Sequence, residues 1–323
     1  ENKEVGGKKA IDYFVDDNKI SDQMVLADMK LAGTIPTDVV LFNIDSKSEV
    51  NGKQSKVAIV SVLQNVFNEM QGFSGSNPFL ADLERKLTEE GKYNLFKEKF
   101  EDSFGSAWEE SRSDFDFIQD DVVEVLDEIG FMSIEAGRNW CEKATGEYTY
   151  KVEDFARLVK KYLDKKESNH HIVFLIDEIG QYIGDDSKLM LNLQTVTEDL
   201  GTACGGKAWI IVTSQQDIDS ITKTKGNDFS KIQGRFDTRL SLSSANVDEV
   251  IKKRILEKNE AGKQTLTLLY DDKATVIKNL ILFNDGIEKK LYSDRENFAD
   301  IYPFIPYQFN CVVQRICRKG YER

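Results

Sequence analysis

The sequence predicts an α/β fold: a parallel β-sheet covered by helices, with a large helical insertion and a helical C-terminal region. Short apolar, β-branched runs typical of buried strands occur near 38–45, 172–177, 208–213 and 239–243. Segments with helical spacing of apolar residues separate these runs, and this alternation is typical of a parallel sheet with right-handed crossovers. A long, charged stretch of helical pattern at about 74–168 interrupts the alternation and is predicted to be the insertion.

The domain prediction follows from this order of elements. Residues 1–245 are predicted to form an incomplete α/β core that contains the insertion, and residues 246–323 a helical, lid-like region. Aromatic residues at helical spacing are predicted to form the core of the insertion. They are Phe96, Phe100, Phe104 and Trp108, which recur every four residues, with Phe115, Phe117 and Trp140 in the same role.

Composition excludes several classes of protein. A hydrophobic fraction of 40% excludes a disordered chain, and a net charge of −13 excludes a uniformly basic nucleic-acid coat. No apolar run reaches the ~20 residues that a membrane helix needs. None of the four cysteines forms a Cys-x-x-Cys pair, and both histidines, His170 and His171, are adjacent. We therefore expect reduced thiols, no Cys/His zinc site and a cytoplasmic protein.

The strongest chemical signal is the apolar run Ile172–Ile176 followed by Asp177 and Glu178. A buried strand with this ending places two carboxylates at the carboxyl edge of a sheet, where α/β proteins bind ligands. In phosphoryl-transfer enzymes such an Asp holds Mg²⁺ opposite the nucleotide phosphates, and the next carboxylate can polarise water. Asp177 is thus the candidate metal ligand and Glu178 the candidate catalytic base. The alternative is that the pair simply begins a solvated loop.

A second strand that ends in polar residues strengthens the prediction of a ligand site beside Asp177 and Glu178. The apolar run 209–212 leads into Thr213, Ser214 and Gln215. In AAA+-type ATPases the strand beside the Asp-Glu strand ends in a similar polar group, which contacts the γ-phosphate or the attacking water. Thr213 and Ser214 are therefore candidate cofactor-binding residues. The alternative is ordinary capping of a helix that follows the strand.

Basic residues precede the last predicted strand. Gly234-Arg-Phe-Asp237 resembles the element that supplies an arginine to a neighbouring subunit's phosphate site, so Arg235 is the candidate arginine finger and Arg239 the second candidate. The alternatives are surface cations on an acidic protein, or contacts to a nucleic-acid backbone. The cations that would serve the latter are Lys223, Lys225, Lys231, Arg235 and Arg239, with Arg315, Arg318, Lys319 and Arg323 near the end of the sequence.

A phosphate-binding loop of the form GxxxxGK[ST] does not occur in the sequence. The nearest match, Val5-Gly-Gly-Lys-Lys9, lacks the earlier glycine, the hydroxyl residue and a preceding strand. The sequence also begins without Met and with residues of helical pattern. We therefore expect that the first strand and the phosphate loop lie upstream and that this chain is part of a longer protein.

Taken together, these residues resemble the BrxC/PglY-type P-loop ATPases of bacterial BREX phage-defence systems, over essentially the whole chain. The most specific stretches are 37–47 (TDVVLFNIDSK), 173–202 (VFLIDEIGQYIGDDSKLMLNLQTVTEDLGT) and 230–254 (SKIQGRFDTRLSLSSANVDEVIKKR). The resemblance implies an AAA+-like, nucleotide-binding core that lacks its first strand, with ATP and Mg²⁺ as cofactors. It also implies a gap in the sheet, because the first strand of that fold lies between the fourth and fifth.

The resemblance also implies partners: other BREX subunits, among them a DNA methyltransferase and a phosphatase-like protein. An arginine supplied in trans implies a homo-oligomer. DNA is a further candidate partner, and a membrane partner is not expected. The alternative function is a nucleotide-independent scaffold whose helical insertion docks BREX partners or DNA, and the missing phosphate loop motivates it.

Overall fold

A computed structural model describes residues 4–16, 20, 22–47, 57–184, 186–214, 238, 240, 247–280 and 291–309. The described part is mostly helical and contains a parallel sheet of three strands. Internal contacts divide the chain into two compact units, Glu1–Asp237 and Thr238–Arg323, whereas the sequence prediction divides it between 245 and 246. The first unit combines helices with a parallel sheet, as the α/β class requires.

The first unit begins with a small hairpin and the first strand of the sheet. The elements between residues 4 and 70 are β1 (Glu4–Val5), β2 (Lys8–Lys9), α1 (Ala10–Asp16), α2 (Gln23–Ala32), β3 (Thr37–Asn43), α3 (Ile44–Lys47) and α4 (Ala58–Met70). Between β1 and β2, Gly6 and Gly7 both have positive φ, which a tight hairpin turn requires. The segment that superficially resembles a phosphate loop is therefore a hairpin turn.

The insertion and the rest of the sheet follow. The elements are α5 (Pro78–Glu89), α6 (Tyr93–Phe104), α7 (Trp108–Ser111), a 3₁₀ helix (Arg112–Phe117), α8 (Gln119–Glu128), α9 (Ile134–Ala144), α10 (Val152–Leu163), β4 (His171–Asp177), α11 (Ile179–Ile183), α12 (Ser187–Cys204) and β5 (Ala208–Val212). Helix α12 continues through Gly201 to Cys204. It ends there because Gly205 adopts the left-handed conformation, with φ of 59°.

The sheet has the order β3-β4-β5, and both pairs are parallel. The predicted strands near 38–45, 172–177 and 208–213 are thus present. The first ends at Asn43 rather than at 45, because the Asn43 side-chain oxygen accepts hydrogen bonds from the backbone N–H groups of Asp45 and Ser46 and starts α3. Most of the predicted strand at 239–243 lies outside the described residues, so the expected gap in the sheet stays a prediction.

One face of the sheet carries the core of the unit. Val40, Phe42, Ile172, Phe174 and Ile176 point to this face and are buried. They pack in one cluster with apolar residues of α4, α10 and α12. Helix α10 therefore belongs to the core around the sheet, although the sequence prediction assigns it to the insertion.

The rest of the insertion has a core of its own, formed by residues of α5 to α9. Phe96, Phe100 and Trp108 are fully buried and pack edge to face or stacked, as the four-residue spacing predicts. Phe115 and Trp140 also contact each other. Two predicted members differ: Phe104 is 38% exposed at the end of α6, and Phe117 is 89% exposed at the end of the 3₁₀ helix. Helical spacing indicates which side of a helix is apolar, but it does not indicate how much of the helix is covered by other segments.

The second unit contains α13 (Val247–Arg254), α14 (Glu260–Leu280) and α15 (Arg295–Ile301). Its small core includes Ile251, Leu256, Tyr270, Tyr292 and Phe298. Among the described parts of both units, no helix combines the length and the apolar character needed to span a bilayer.

Candidate functional site

Three polar strand ends meet at the carboxyl edge of the sheet. Asn43 closes β3, Asp177 closes β4 and pairs with Asn43 in register, and Thr213 directly follows β5. Parallel pairing brings these residues together, because all three strands finish at the same edge. Asp177, Glu178, Thr213 and Ser214 are the residues that the sequence predicts at this edge.

The Thr213 hydroxyl links the two carboxylate residues. It donates a hydrogen bond to Asp177 Oδ1 and accepts one from the backbone N–H of Glu178, at 3.1 Å. The backbone of Thr213 adds two more bonds: its N–H donates to the carbonyl of Ile176 at 3.0 Å, and its carbonyl accepts from Ile179 N–H at 3.1 Å. The end of β5 and the turn after β4 therefore form one hydrogen-bonded unit.

Glu178 stands in an unusual backbone conformation. Its φ is 59°, and among the described residues it is the only non-glycine residue with positive φ. A left-handed conformation costs an ordinary residue about 1–2 kcal/mol. Strain of this kind tends to be kept where the surroundings hold a side chain for a function. Here the strained turn lies between β4 and the short helix α11, at the edge where ligands bind in α/β sheets.

Asn43 holds the Glu178 side chain from the neighbouring strand. Its Nδ2 donates to Glu178 Oε2 at 2.9 Å, while its Oδ1 accepts the two bonds that start α3. Asn43 is not among the site residues predicted from the sequence. The signal that could have found it is an amide at the end of a buried strand, next to the strand that carries the Asp-Glu pair.

The site is accessible and rich in oxygen atoms. Asp177 and Thr213 are exposed, and Asn43, Glu178 and Ser214 are half-buried. No group of three or more His, Cys, Asp or Glu side chains in the described residues is arranged to hold a metal ion by itself. Mg²⁺ usually binds through one or two carboxylates, with waters and substrate phosphates as its remaining ligands. The donor set at this edge fits that mode of binding and does not form an all-protein cage.

The remaining predicted residues lie elsewhere. Arg235 and Arg239, the candidate arginine fingers, fall outside the described residues. His170 and His171 have different partners: His170 Nε2 lies 2.8 Å from Asp38 Oδ2, and His171 Nδ1 lies 2.9 Å from the Asn169 carbonyl.

The described cysteines have no place in this site. Cys141 and Cys204 are free and buried, and burial raises the pKa of each thiol to about 11. Both are protonated at neutral pH and therefore poor nucleophiles and metal ligands.

Comparison with models of known protein families and with solved structures finds no match for this chain.

Proposed function

We propose that this chain is part of the ATP-binding and ATP-hydrolysing core of a cytoplasmic, AAA+-like P-loop ATPase of the BREX phage-defence type. Asp177 binds the Mg²⁺ of the bound nucleotide, and Glu178 orients and activates the attacking water. The observation that carries the proposal is the hydrogen-bonded arrangement of Asp177, Glu178 and Thr213 at the carboxyl edge of a parallel sheet.

The order of the strands supports the same proposal. In AAA+-like folds the second, third and fourth strands are neighbours, and β3, β4 and β5 follow each other in this way. The strand with the Asp-Glu pair lies in the middle, so groups from both neighbours can reach its carboxylates. Asn43 contacts Glu178 from one side, and Thr213 contacts Asp177 from the other.

Each residue has a role that its chemistry allows. The Asp177 carboxylate supplies a hard oxygen ligand, which suits Mg²⁺. Mg²⁺ would neutralise charge on the phosphates when bound. Thr213 fixes the orientation of Asp177, and Ser214 lies next to it, within the same strand end. Arg235, with Arg239 as the second candidate, would complete the site of a neighbouring subunit in a homo-oligomer.

The deciding experiment is Glu178→Gln in the protein extended upstream through a phosphate loop, which the 323 residues do not contain. Gln preserves the size of the side chain but cannot accept a proton. We expect the rate of ATP hydrolysis to fall by about 100-fold or more, while the Kd for ATP stays within about twofold. Glu142→Gln, on the exposed surface of α9, is the matched control. Unchanged hydrolysis by Glu178→Gln would remove this residue from the mechanism.

A scaffold function is the second candidate, because the insertion has a separate core. Its partners would be the other BREX subunits or DNA. The test replaces residues 76–147 by a flexible linker and leaves α10 in place, since α10 packs on the sheet. Loss of binding to the methyltransferase or the phosphatase-like protein, by a variant that is still folded, is the expected result for a nucleotide-independent scaffold. Retained binding would contradict it.

A further inference from the structure

A cavity lies near the end of the sheet where β3 begins, away from the carboxyl edge. The cavity has a volume of about 630 Å³ and lies between α5, α10 and the turn after α4. Tyr162 lines it and donates a hydrogen bond to Asp38, the second residue of β3. Asp38 and Asn43 lie five residues apart on that strand, about 17 Å at the usual rise per residue. The cavity is therefore separate from the carboxyl edge that holds Asp177.

The wall of the cavity combines apolar and cationic side chains. Leu158 and Tyr162 supply apolar surface, whereas Phe73 is buried and its ring centre lies 5.3 Å from the Arg85 guanidinium. The charged lining residues are Arg85, Lys161, Lys165 and Lys166, with Glu89 as the one carboxylate among them. Such an excess of cations is notable in a chain whose net charge is −13.

Two lysines share the single carboxylate. The Nζ atoms of Lys161 and Lys165 lie 2.8 and 2.7 Å from the same oxygen, Glu89 Oε1. Hydrogen bonds from both lysines lower the pKa of Glu89 to about 2. One negative charge cannot neutralise two positive ones, so this side of the cavity retains positive charge at neutral pH.

The positive charge of the third lysine, Lys166, is only weakly neutralised by a carboxylate. Lys166 Nζ lies 4.0 Å from Asp38 Oδ2, the limit for an ion pair. The same oxygen already accepts the Tyr162 hydroxyl and lies 2.8 Å from His170 Nε2. The ammonium group of Lys166 also lies 4.9 Å from the centre of the Tyr162 ring, beside the apolar wall.

Arg85 adds a buried cation behind the lysines. It is 9% exposed; its Nη1 donates to Asp82 at 2.7 Å and its Nη2 to Asn68 Oδ1 at 2.6 Å. Arg85 Nε is buried and has no hydrogen-bond acceptor within the described residues. Burial lowers the pKa of this guanidinium, although the nearby carboxylate of Asp82 opposes the effect. Asp82 thus pairs with the Arg85 charge, and the positive charge that is not matched by carboxylates belongs to the lysines.

We propose that this cavity binds a phosphorylated small molecule with an aromatic body, of the size of a nucleotide. The phosphate contacts Lys161, Lys165 and Lys166, whose charges exceed those of their carboxylate partners. The aromatic part lies against Leu158 and Tyr162, which are both half-buried. The volume falls in the range of small-molecule pockets, about 300–1,000 Å³. This site does not depend on the ATPase function proposed above.

The test is calorimetric titration of the 323-residue chain with adenosine monophosphate in the absence of Mg²⁺. We expect measurable binding, weakened about tenfold by the double substitution Lys161→Ala and Lys165→Ala. Glu89→Gln should strengthen binding about threefold, because it frees both lysines without removing a cation. Inorganic pyrophosphate should compete, and adenosine should bind at least tenfold more weakly.

Two control variants locate the binding. Lys143→Ala removes an exposed lysine from α9, and Asp177→Asn alters the carboxyl edge; both should leave the affinity unchanged. Absence of binding at millimolar concentration would overturn the proposal. So would equal affinity for adenosine, binding that Lys161→Ala with Lys165→Ala leaves intact, or binding that Asp177→Asn abolishes.

Discussion

At the scale of single residues, the carboxyl edge depends on one strained glutamate and the two side chains that hold it. Glu178 has a positive φ, its backbone N–H donates to Thr213, and its carboxylate accepts from Asn43. None of these contacts involves sequence neighbours: Asn43 and Glu178 are 135 positions apart. In the proposed reaction Asn43 is a positioning residue, because it contacts the base and not the nucleotide.

Asn43→Asp separates the two roles of Asn43. The variant keeps an acceptor for the N–H groups that start α3, but it replaces the amide donor to Glu178 by a carboxylate oxygen. We expect kcat for ATP hydrolysis to fall about tenfold with KM unchanged, because the base loses its orientation. Steady-state kinetics of the upstream-extended protein measure this. A rise in KM alone would instead assign Asn43 to nucleotide binding.

At the scale of elements, the insertion is organised around one buried carboxylate. Glu84, on α5, has no exposed surface. Its Oε1 accepts from Trp108 Nε1 at 2.7 Å, Arg112 Nη1 at 2.8 Å and the Tyr93 hydroxyl at 3.1 Å. Its Oε2 accepts from the backbone N–H of Ser74 at 2.6 Å. One side chain thereby joins α5, α6, α7 and the loop before α5.

Glu84→Gln removes part of this network without changing its volume. An amide can accept at only one of its two ends, so a buried donor loses its acceptor and Arg112 loses its counter-charge. Breaking a buried pair in this way costs about 3–5 kcal/mol. We expect urea denaturation, followed by tryptophan fluorescence, to show a loss of this size. Glu90→Gln, at an exposed pair with Lys92, should change stability by less than about 0.5 kcal/mol.

At the scale of the first unit, the two faces of the sheet differ. The face opposite the core carries two apolar rows across the strands: Val39, Val173 and Trp209 in one, Leu41, Leu175 and Ile211 in the other. Leu41 is 72% exposed and Trp209 is 56% exposed. Within the described residues this face is open, whereas α4, α10 and α12 cover the other.

Substitutions on the two faces should therefore have different effects. Trp209→Lys should change the free energy of unfolding by less than about 0.5 kcal/mol and reduce the fluorescence of a bound apolar dye. Phe174→Ala, on the covered face, should cost about 4 kcal/mol. Denaturation and dye titration on the same samples measure both effects. A large loss of stability in Trp209→Lys would show that this face is covered in solution.

Acid stability provides a further test for the whole unit. Interactions with Lys161 and Lys165 lower the pKa of Glu89 from 4.5 to about 2. Asp38 also has a lowered pKa; burial raises it, but hydrogen bonds from Tyr162 and His170 outweigh burial. Each group therefore stabilises the fold above the pKa of its unfolded state, and this contribution disappears as the pH falls through the lower, folded pKa.

In Glu89→Gln the free energy of unfolding should accordingly fall less steeply as the pH is lowered from 4.5 to about 2. Denaturation curves across that range, compared with those of the unaltered chain, measure the effect. Glu142→Gln, at an exposed site on α9, is the control. Parallel curves for Glu89→Gln and the unaltered chain would contradict the assignment of Glu89 to this acid transition.

Much of the local structure was predictable from the sequence, because it depends on neighbouring residues. Apolar runs with β-branching identified β3, β4 and β5, and four-residue spacing identified the buried aromatics Phe96, Phe100 and Trp108. The same local signals did not predict burial correctly where burial depends on contact with distant segments of the chain. Phe117 and, in α2, Met24, Val25 and Leu31 follow helical spacing and are exposed.

The sequence by itself determined which residues could be strands and helices and that Asp177, Glu178 and Thr213 close two of the strands. Only the tertiary structure decided that Asn43 reaches Glu178, that Glu84 accepts four hydrogen bonds in the insertion core, and that α5 and α10 enclose a cationic cavity. The physical reason is the separation along the sequence of the residues that interact. Strand and helix preferences arise from residues a few positions apart, whereas these contacts join segments whose approach is set by packing of the whole unit.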